Sequence, residues 1–301
     1  PGVYGIVSMP HGVRVGINIY INGYIPDENI RFRDRAIKFH LSPTPKQWRS
    51  EDTLHSWPAF KKKMGTFTLK AKAGEIHRGE VVGIVGANGT GKTTFVKVIA
   101  GITEPTEGEL TGSGLKVSYK PQYVVPNTER SLKDILNSIS PALLTDQFLN
   151  DEVYFPLDVA PLMERAASSL SGGELQRIAV AICLSREARI YLLDEPTAHL
   201  DVEHRLAVSR CIRRVVEKTG TAAFVVEHDI VANDLLADSV MVFAGVPGAS
   251  GTAHPPTDLR KGMNQFLKGL GITFRRDPDT GRPRVNKRDS WLDRYQKEIN
   301  E

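Results

Sequence analysis

An α/β fold with a mainly parallel, doubly wound core sheet is predicted by three observations. Short apolar runs recur at 81–85, 115–119, 190–193, 222–226 and 239–243, with helical patterns between most of them. The stretch 81–94 reads as strand, glycine loop and helix in that order, with Gly86-x-x-x-x-Gly91-Lys92-Thr93 in the loop. Polar pairs then close later apolar runs, Asp194-Glu195 after 190–193 and Glu227-His228 after 222–226. In such sheets chemistry collects at the carboxyl ends of the strands.

The loop explains itself physically. Glycines let backbone N–H groups turn inward into a concave nest, and the following helix adds its positive N-terminal end. Gly86, Ala87, Asn88, Gly89, Thr90, Gly91, Lys92, Thr93 and Thr94 are therefore the expected phosphate-binding residues. Lys92 would reach the β- and γ-phosphates, and the Thr93 hydroxyl would join the shell of Mg²⁺. A nucleoside triphosphate with Mg²⁺ is the expected ligand.

Composition bounds the remaining classes. The chain has 301 residues, 41% hydrophobic and 25% charged, ordinary values for a globular protein with a sizeable core. No apolar run reaches the length of a membrane span and no signal peptide opens the chain, so a cytoplasmic location without a membrane partner is expected. The two cysteines, Cys183 and Cys211, lie apart in apolar surroundings and read as buried thiols. The first residue is Pro1, which suggests a piece of a longer protein. A net charge of +4 is uneven: 275–288 carries six cations against two aspartates, either a nucleic-acid-facing surface or a solvated, internally paired face.

Taken in order, residues 1–40 are short pieces punctuated by glycine and proline, and 41–64 reads as a polar connector. Alternation from residue 66 predicts antiparallel strands leading into the loop strand. Periodicity broken by prolines predicts a helical subdomain at about 125–176, inserted into the sheet. Beyond it lie an apolar helix at 178–184, the strand ending in Asp194, a helix from about 202 to 218, and strands at 222–226 and 239–243, the last closing the sheet. Asp194 fits a carboxylate that holds Mg²⁺ through water, and Glu195 one that accepts a proton from attacking water. His228 ends a strand where an imidazole can touch the γ-phosphate.

The stretch Leu170-Ser171-Gly172-Gly173-Glu174-Leu175-Gln176 resembles the signature motif of ATP-binding-cassette (ABC) ATPases. With it, Gln122 resembles the Q-loop glutamine and a Mg²⁺ ligand, Ala198-His199-Leu200-Asp201 the D-loop, and His228 the switch histidine. Phe67, 25 positions before Lys92, stands where that family stacks an aromatic on adenine; a strand-core phenylalanine is the alternative. The resemblance covers about 65–245 and implies an ABC-type cassette with an antiparallel β subdomain, ATPase activity, and catalytic roles for Glu195, His228, Gln122 and Lys92. It further implies that Leu170, Ser171, Gly172, Gly173, Glu174 and Gln176 act on ATP held by a second, opposing cassette. His199 stands where a tyrosine is usual.

The flanks narrow the resemblance. Tyr119-Lys120-Pro121-Gln122, Gly262-Met263-Asn264 and the run 272–284 are similar to the E subfamily, the ribosome-recycling ATPases also called RNase L inhibitors. That similarity implies a hinge segment at 1–40, a second hinge segment with a basic tail at 246–301, and ribosomal subunits with termination or rescue factors as partners. It implies no iron–sulfur cluster in these residues. A membrane transporter's nucleotide-binding subunit and a noncatalytic ATP-dependent module are the competing readings. A long coiled-coil ATPase is excluded by the short separation between Gly91 and Leu170.

Overall fold

The computed structural model describes residues 2–3, 6–32, 48–110, 115–123, 128–269, 271–276 and 283–298. The chain divides into two compact units, Pro45–Leu270, and Pro1–Thr44 with Gly271–Glu301.

In the larger unit five strands run parallel in the order Val117–Lys120, Ile190–Asp194, Ala222–Val226, Val81–Gly86 and Ser239–Val246. Every residue of the middle three is buried, as expected for parallel strands covered on both faces. The sheet continues through Ser250–Ala253, antiparallel to Ser239–Val246, then Phe67–Ala71 and the edge strand Phe60–Met64. Thr53–Trp57 and Gly74–His77 form a separate antiparallel pair.

One core gathers around Phe95, in the helix Lys92–Ile99 that follows the glycine loop. Its ring centroid lies 5.7 Å from Trp57, 5.9 Å from Phe60, 5.9 Å from Phe224 and 5.7 Å from Phe243. A second core joins the helices Gly172–Ser185 and Val202–Thr219 to Leu132, Leu136, Val153 and Leu157 of the helical segment. That segment is a series of short turns after the amphipathic helix Leu132–Ile139, whose Ser131 cap accepts from Asp134 N–H.

Three expectations need correction. Residues 53–57 and 60–64 are strands rather than connector, and the polar look of Phe60-Lys-Lys-Lys-Met64 is that of a lysine-guarded sheet edge. The 239–243 run does not close the sheet: the strand extends to Val246 and turns back as Ser250–Ala253. Residues 246–270, grouped with the second hinge segment, lie in the larger unit, where the helix Leu259–Gly269 buries Met263 and Leu267.

In the smaller unit the helix Val13–Asn22 ends at Gly23 in a left-handed conformation, with Tyr24–Ile25 pairing with Ile30–Arg31. Phe274–Arg276 pairs with Pro283–Val285, followed by the helix Trp291–Glu298. Buried Asp293 accepts from Lys297 Nζ (2.8 Å), from the Thr273 hydroxyl and from Asp289 N–H. These donors, Lys297 first, hold its carboxyl down at about 2. Much of the expected first hinge segment and connector (33–47) and of the basic run (277–282) lies outside the described residues. Among the described residues no helix is long and apolar enough to cross a membrane.

Candidate ATP-binding and hydrolysis site

The site is built at the carboxyl ends of the parallel strands. Gly86 ends its strand at φ +155, and a Cβ there would lie 2.6 Å from the Phe243 carbonyl oxygen, so the loop leaves the sheet at a position only glycine fits. Ala87, Asn88 and Gly89 are exposed, and the buried Thr90 hydroxyl donates to Ala87 O at 2.7 Å, closing the loop on itself. Gly91, at φ +94, starts the helix that carries Lys92, Thr93 and Thr94. Lys92 Nζ donates to Gly86 O (2.8 Å) and Ala87 O (3.0 Å), so the ammonium stands over the mouth of the nest. Burial lowers its pKa, opposed by Asp194 and Glu195.

Thr93 Oγ1 donates to Asp194 Oδ2 at 2.7 Å, joining loop helix and strand end. Burial raises the Asp194 carboxyl, with the Thr93 hydrogen bond pulling the other way. Glu195 follows at φ +46, an uncommon backbone conformation for a residue other than glycine. Its Oε1 accepts from Gln122 Nε2 at 2.9 Å and lies 3.2 Å from His228 Nε2. Two residues far apart in sequence, Gln122 and His228, thus converge on one carboxylate oxygen.

The signature stretch begins with a capping box. Ser171 Oγ accepts from Glu174 N–H, and Glu174 accepts from Ser171 N–H while pairing with Arg165 at 2.6 Å. Ser171 and Gly172 remain exposed, and Gly173 lies under the His199 carbonyl, 3.1 Å from where a Cβ would stand. Two residues depart from the expectation that the stretch as a whole faces a second cassette. Gln176 is buried and donates to the Glu195 carbonyl oxygen of this same chain, and Leu170 is packed into the core. One helical turn separates Gly172 from Gln176, which places them on the same side of the helix but at different depths.

In the D-loop, Ala198 is half-buried and Leu200 buried, while exposed His199 takes φ +61, a left-handed conformation that histidine tolerates better than bulky or branched residues. Asp201 caps the next helix by accepting from His204 N–H at 2.9 Å. Phe67 is half-buried, its Cζ 2.9 Å from a Cβ position at Gly91. It therefore flanks the loop and also packs on the core around Phe95.

Sequence reasoning gave no role to Lys120, Glu227 or Arg205. Lys120 is buried and donates to Asp194 O (2.8 Å) and Glu195 O (3.3 Å); burial pulls its pKa down to about 8 against the pull of Asp194. Glu227 accepts from Thr197 Oγ1 (2.6 Å) and His228 N–H (2.9 Å), and Arg205 pairs with Asp229 at 2.6 Å. The signal for Lys120 was a lysine at an inward position of an alternating strand, Val117–Lys120.

A glycine nest with its lysine, a threonine–aspartate pair, a carboxylate met by glutamine and histidine, and a capped signature helix together define an ATP-binding cassette. The ABC transporter family model matches residues 69–198. An ABC transporter E family member of Arabidopsis thaliana is 39% identical over 173 residues, 55% of this chain and 94% of that protein. The chain belongs to the ABC transporter E family. An uncharacterised ABC transporter ATP-binding protein of Methanocaldococcus jannaschii is 49% identical over 100% of this chain and 50% of its own length. This chain thus spans about half of that relative. Among the solved structures that match over 100% of the chain are two assemblies. One is a complex of an archaeal ribosomal stalk protein with an archaeal ribosome recycling factor (TM-score 0.90, 52% identity, 58% of that chain). The other is a model of ribosome-bound archaeal Pelota and ABCE1 (TM-score 0.93, 50% identity, 50% of that chain).

Proposed function

We propose that this chain binds ATP with Mg²⁺ at residues 86–94 and hydrolyses it, with Glu195 as the proton-accepting base. The convergence of Gln122 and His228 on Glu195 Oε1, beside the Thr93–Asp194 pair, is the observation that carries this reading. Lys92 neutralises the β- and γ-phosphates, and the helix beginning at Lys92 directs its positive end at them. A hydroxyl next to a carboxylate is a hard-oxygen donor set that suits Mg²⁺, which takes few protein ligands and completes its shell with phosphates and water. When bound, the ion supplies charge neutralisation between the phosphates; Thr93, Asp194 and the Gln122 amide oxygen would hold it. Glu195 takes a proton from water as that water's oxygen bonds to the γ-phosphorus and the bond to the bridging oxygen breaks. His228 donates a hydrogen bond to the γ-phosphate, and Phe67 offers a ring edge or face to adenine.

Ser171, Gly172 and Gly173 open a helix on an exposed surface, the arrangement of an anion site. A second cassette facing this one is the proposed source of the γ-phosphate they would bind, so closure and hydrolysis are linked. The work done by closure is, on this reading, separation of ribosomal subunits after termination or rescue in the cytoplasm. Support comes from similarity over the whole chain, both compact units included, to proteins described as a ribosome recycling factor and as ribosome-bound. The transporter-subunit reading accounts for the cassette but not for that similarity outside it. Residues 1–40 and 271–301, which form one compact unit, are the proposed hinge.

Glu195→Gln tests the chemical core. The amide keeps the size of the carboxylate and loses the base, so ATP affinity should persist while single-turnover hydrolysis falls by about 10²–10⁴-fold. Turnover within a few-fold of the parent removes Glu195 from that role.

A further inference from the structure

We propose that Lys120, with Gln176, is a positioning residue for hydrolysis: the two side chains hold the backbone of Asp194–Glu195 so that the Glu195 carboxylate meets Gln122 and His228. This rests on the reading of Glu195 as the base. Lys120 lies on the strand next to the one ending in Asp194, paired in register with Leu193, and it is 1% exposed. From there its ammonium reaches past the end of its own strand to two successive carbonyl oxygens, those of Asp194 and Glu195. Gln176 reaches the same Glu195 oxygen out of the signature helix. No carboxylate hydrogen-bonds Lys120 among the described contacts; its partners are the two backbone oxygens.

A lysine placed only to balance the charge of Asp194, Glu195 and Glu227 would be expected to bond a carboxylate oxygen. This one is spent on the peptide units on either side of the Glu195 Cα. Those units need holding, because Glu195 sits at φ +46, a conformation that residues with a Cβ adopt only where the surroundings impose it. Glu195 N–H also donates to Val226 O at 2.8 Å, so the amide is tied to the end of the strand that leads to His228, and the carbonyl to Lys120 and Gln176. With both ends fixed, the direction of the Cα–Cβ bond is fixed, and with it the carboxylate. Removing the donors on the carbonyl side lets the backbone relax toward negative φ and swings the side chain away from Gln122 and His228. Gln176 also ties this geometry to the helix capped by the exposed Ser171.

The test uses Lys120→Met, which keeps the length of the side chain and removes the donor, with Gln176→Leu as a second variant from a different element. Single-turnover hydrolysis of labelled ATP by excess chain and the ATP dissociation constant are measured for both, with Glu195→Gln alongside. Lys120→Met should slow hydrolysis by about 10²-fold, the scale of a misplacement near 1 Å, while leaving the dissociation constant within about threefold. Gln176→Leu should shift the rate in the same direction, again without an affinity change, and it decides the matter if Lys120→Met does not fold. Rates within about threefold of the parent in the folded variants, beside a Glu195→Gln chain that has lost hydrolysis, overturn the positioning role alone; so does affinity falling in parallel with the rate. An unimpaired Glu195→Gln chain overturns the base assignment and the positioning role with it.

Discussion

Lys92 and Glu195 mark the two ends of what single residues contribute to this site. The ammonium of Lys92 already faces oxygen, bonded to Gly86 O and Ala87 O, so on the proposed reading phosphate oxygens would replace these carbonyl oxygens. Lys92→Ala deletes the cation but leaves the N–H nest, so nucleotide titration should show weaker ATP binding with the fold intact; a charge-assisted contact of this kind contributes about 1.5–3 kcal/mol, or roughly 10- to 150-fold in affinity. Unchanged affinity and activity would contradict the phosphate-loop assignment itself. That Lys92, Thr93, Asp194 and Glu195 would gather in one place was legible in the sequence, because each stands at a fixed offset in a glycine loop or at the end of an apolar run. Lys120 was not, since its role depends on which way a strand side chain points and on the backbone of the neighbouring strand. Gln176 was legible as part of a motif and misplaced within it, because spacing along a helix gives direction but not depth.

At the scale of elements, the loop is held by what lies behind it. Phe95 lies one helical turn after Gly91 and is ringed by Trp57, Phe60, Phe224 and Phe243, drawn from four different strands. Phe95→Ala should cost about 3–5 kcal/mol in urea unfolding and should weaken ATP binding secondarily, through loss of loop position. A loss below about 1 kcal/mol would mean that the ring cluster collapses around the gap and does not fix the loop helix. The signature helix makes the opposite prediction. Ser171 is exposed at its cap, so Ser171→Arg should leave this chain's own ATP affinity unchanged while blocking ATP-dependent pairing with a facing cassette, read by sedimentation velocity in a Glu195→Gln background. Pairing that survives the substitution would detach the signature surface from cassette closure. The parallel strands and main helices were readable from apolar runs and their punctuation. The strands at 53–64 were not: three consecutive lysines conceal an edge strand whose outward residues pair elsewhere, Lys61 with Glu107 at 2.6 Å and Lys62 with the Glu104 carbonyl.

For the whole molecule, the two ends of the sequence share one compact unit and the cassette occupies the other. Composition and charge alone carried little of this, because the grouping of 1–44 with 271–301 is a matter of tertiary contact between segments far apart in sequence. The buried Asp293 network gives the smaller unit a pH signature. Its carboxyl is held at about 2 in the folded chain, below the ordinary aspartate value, so its stabilising contribution is present above the unfolded value and is lost as pH falls toward about 2. Asp293→Asn should therefore flatten the acid limb of the unfolding midpoint measured against pH; an unchanged limb would mean that Asp293 does not anchor the Trp291–Glu298 helix. The reading of the molecule as an ATP-driven ribosome-splitting factor is tested most directly by sedimenting the full-length natural protein with small ribosomal subunits in Mg²⁺ with a nonhydrolysable ATP analogue or with ADP. Co-sedimentation with the analogue and release with ADP is the expected result. Absence from the ribosomal fractions with either nucleotide, with the protein recovered instead on membranes, would contradict it.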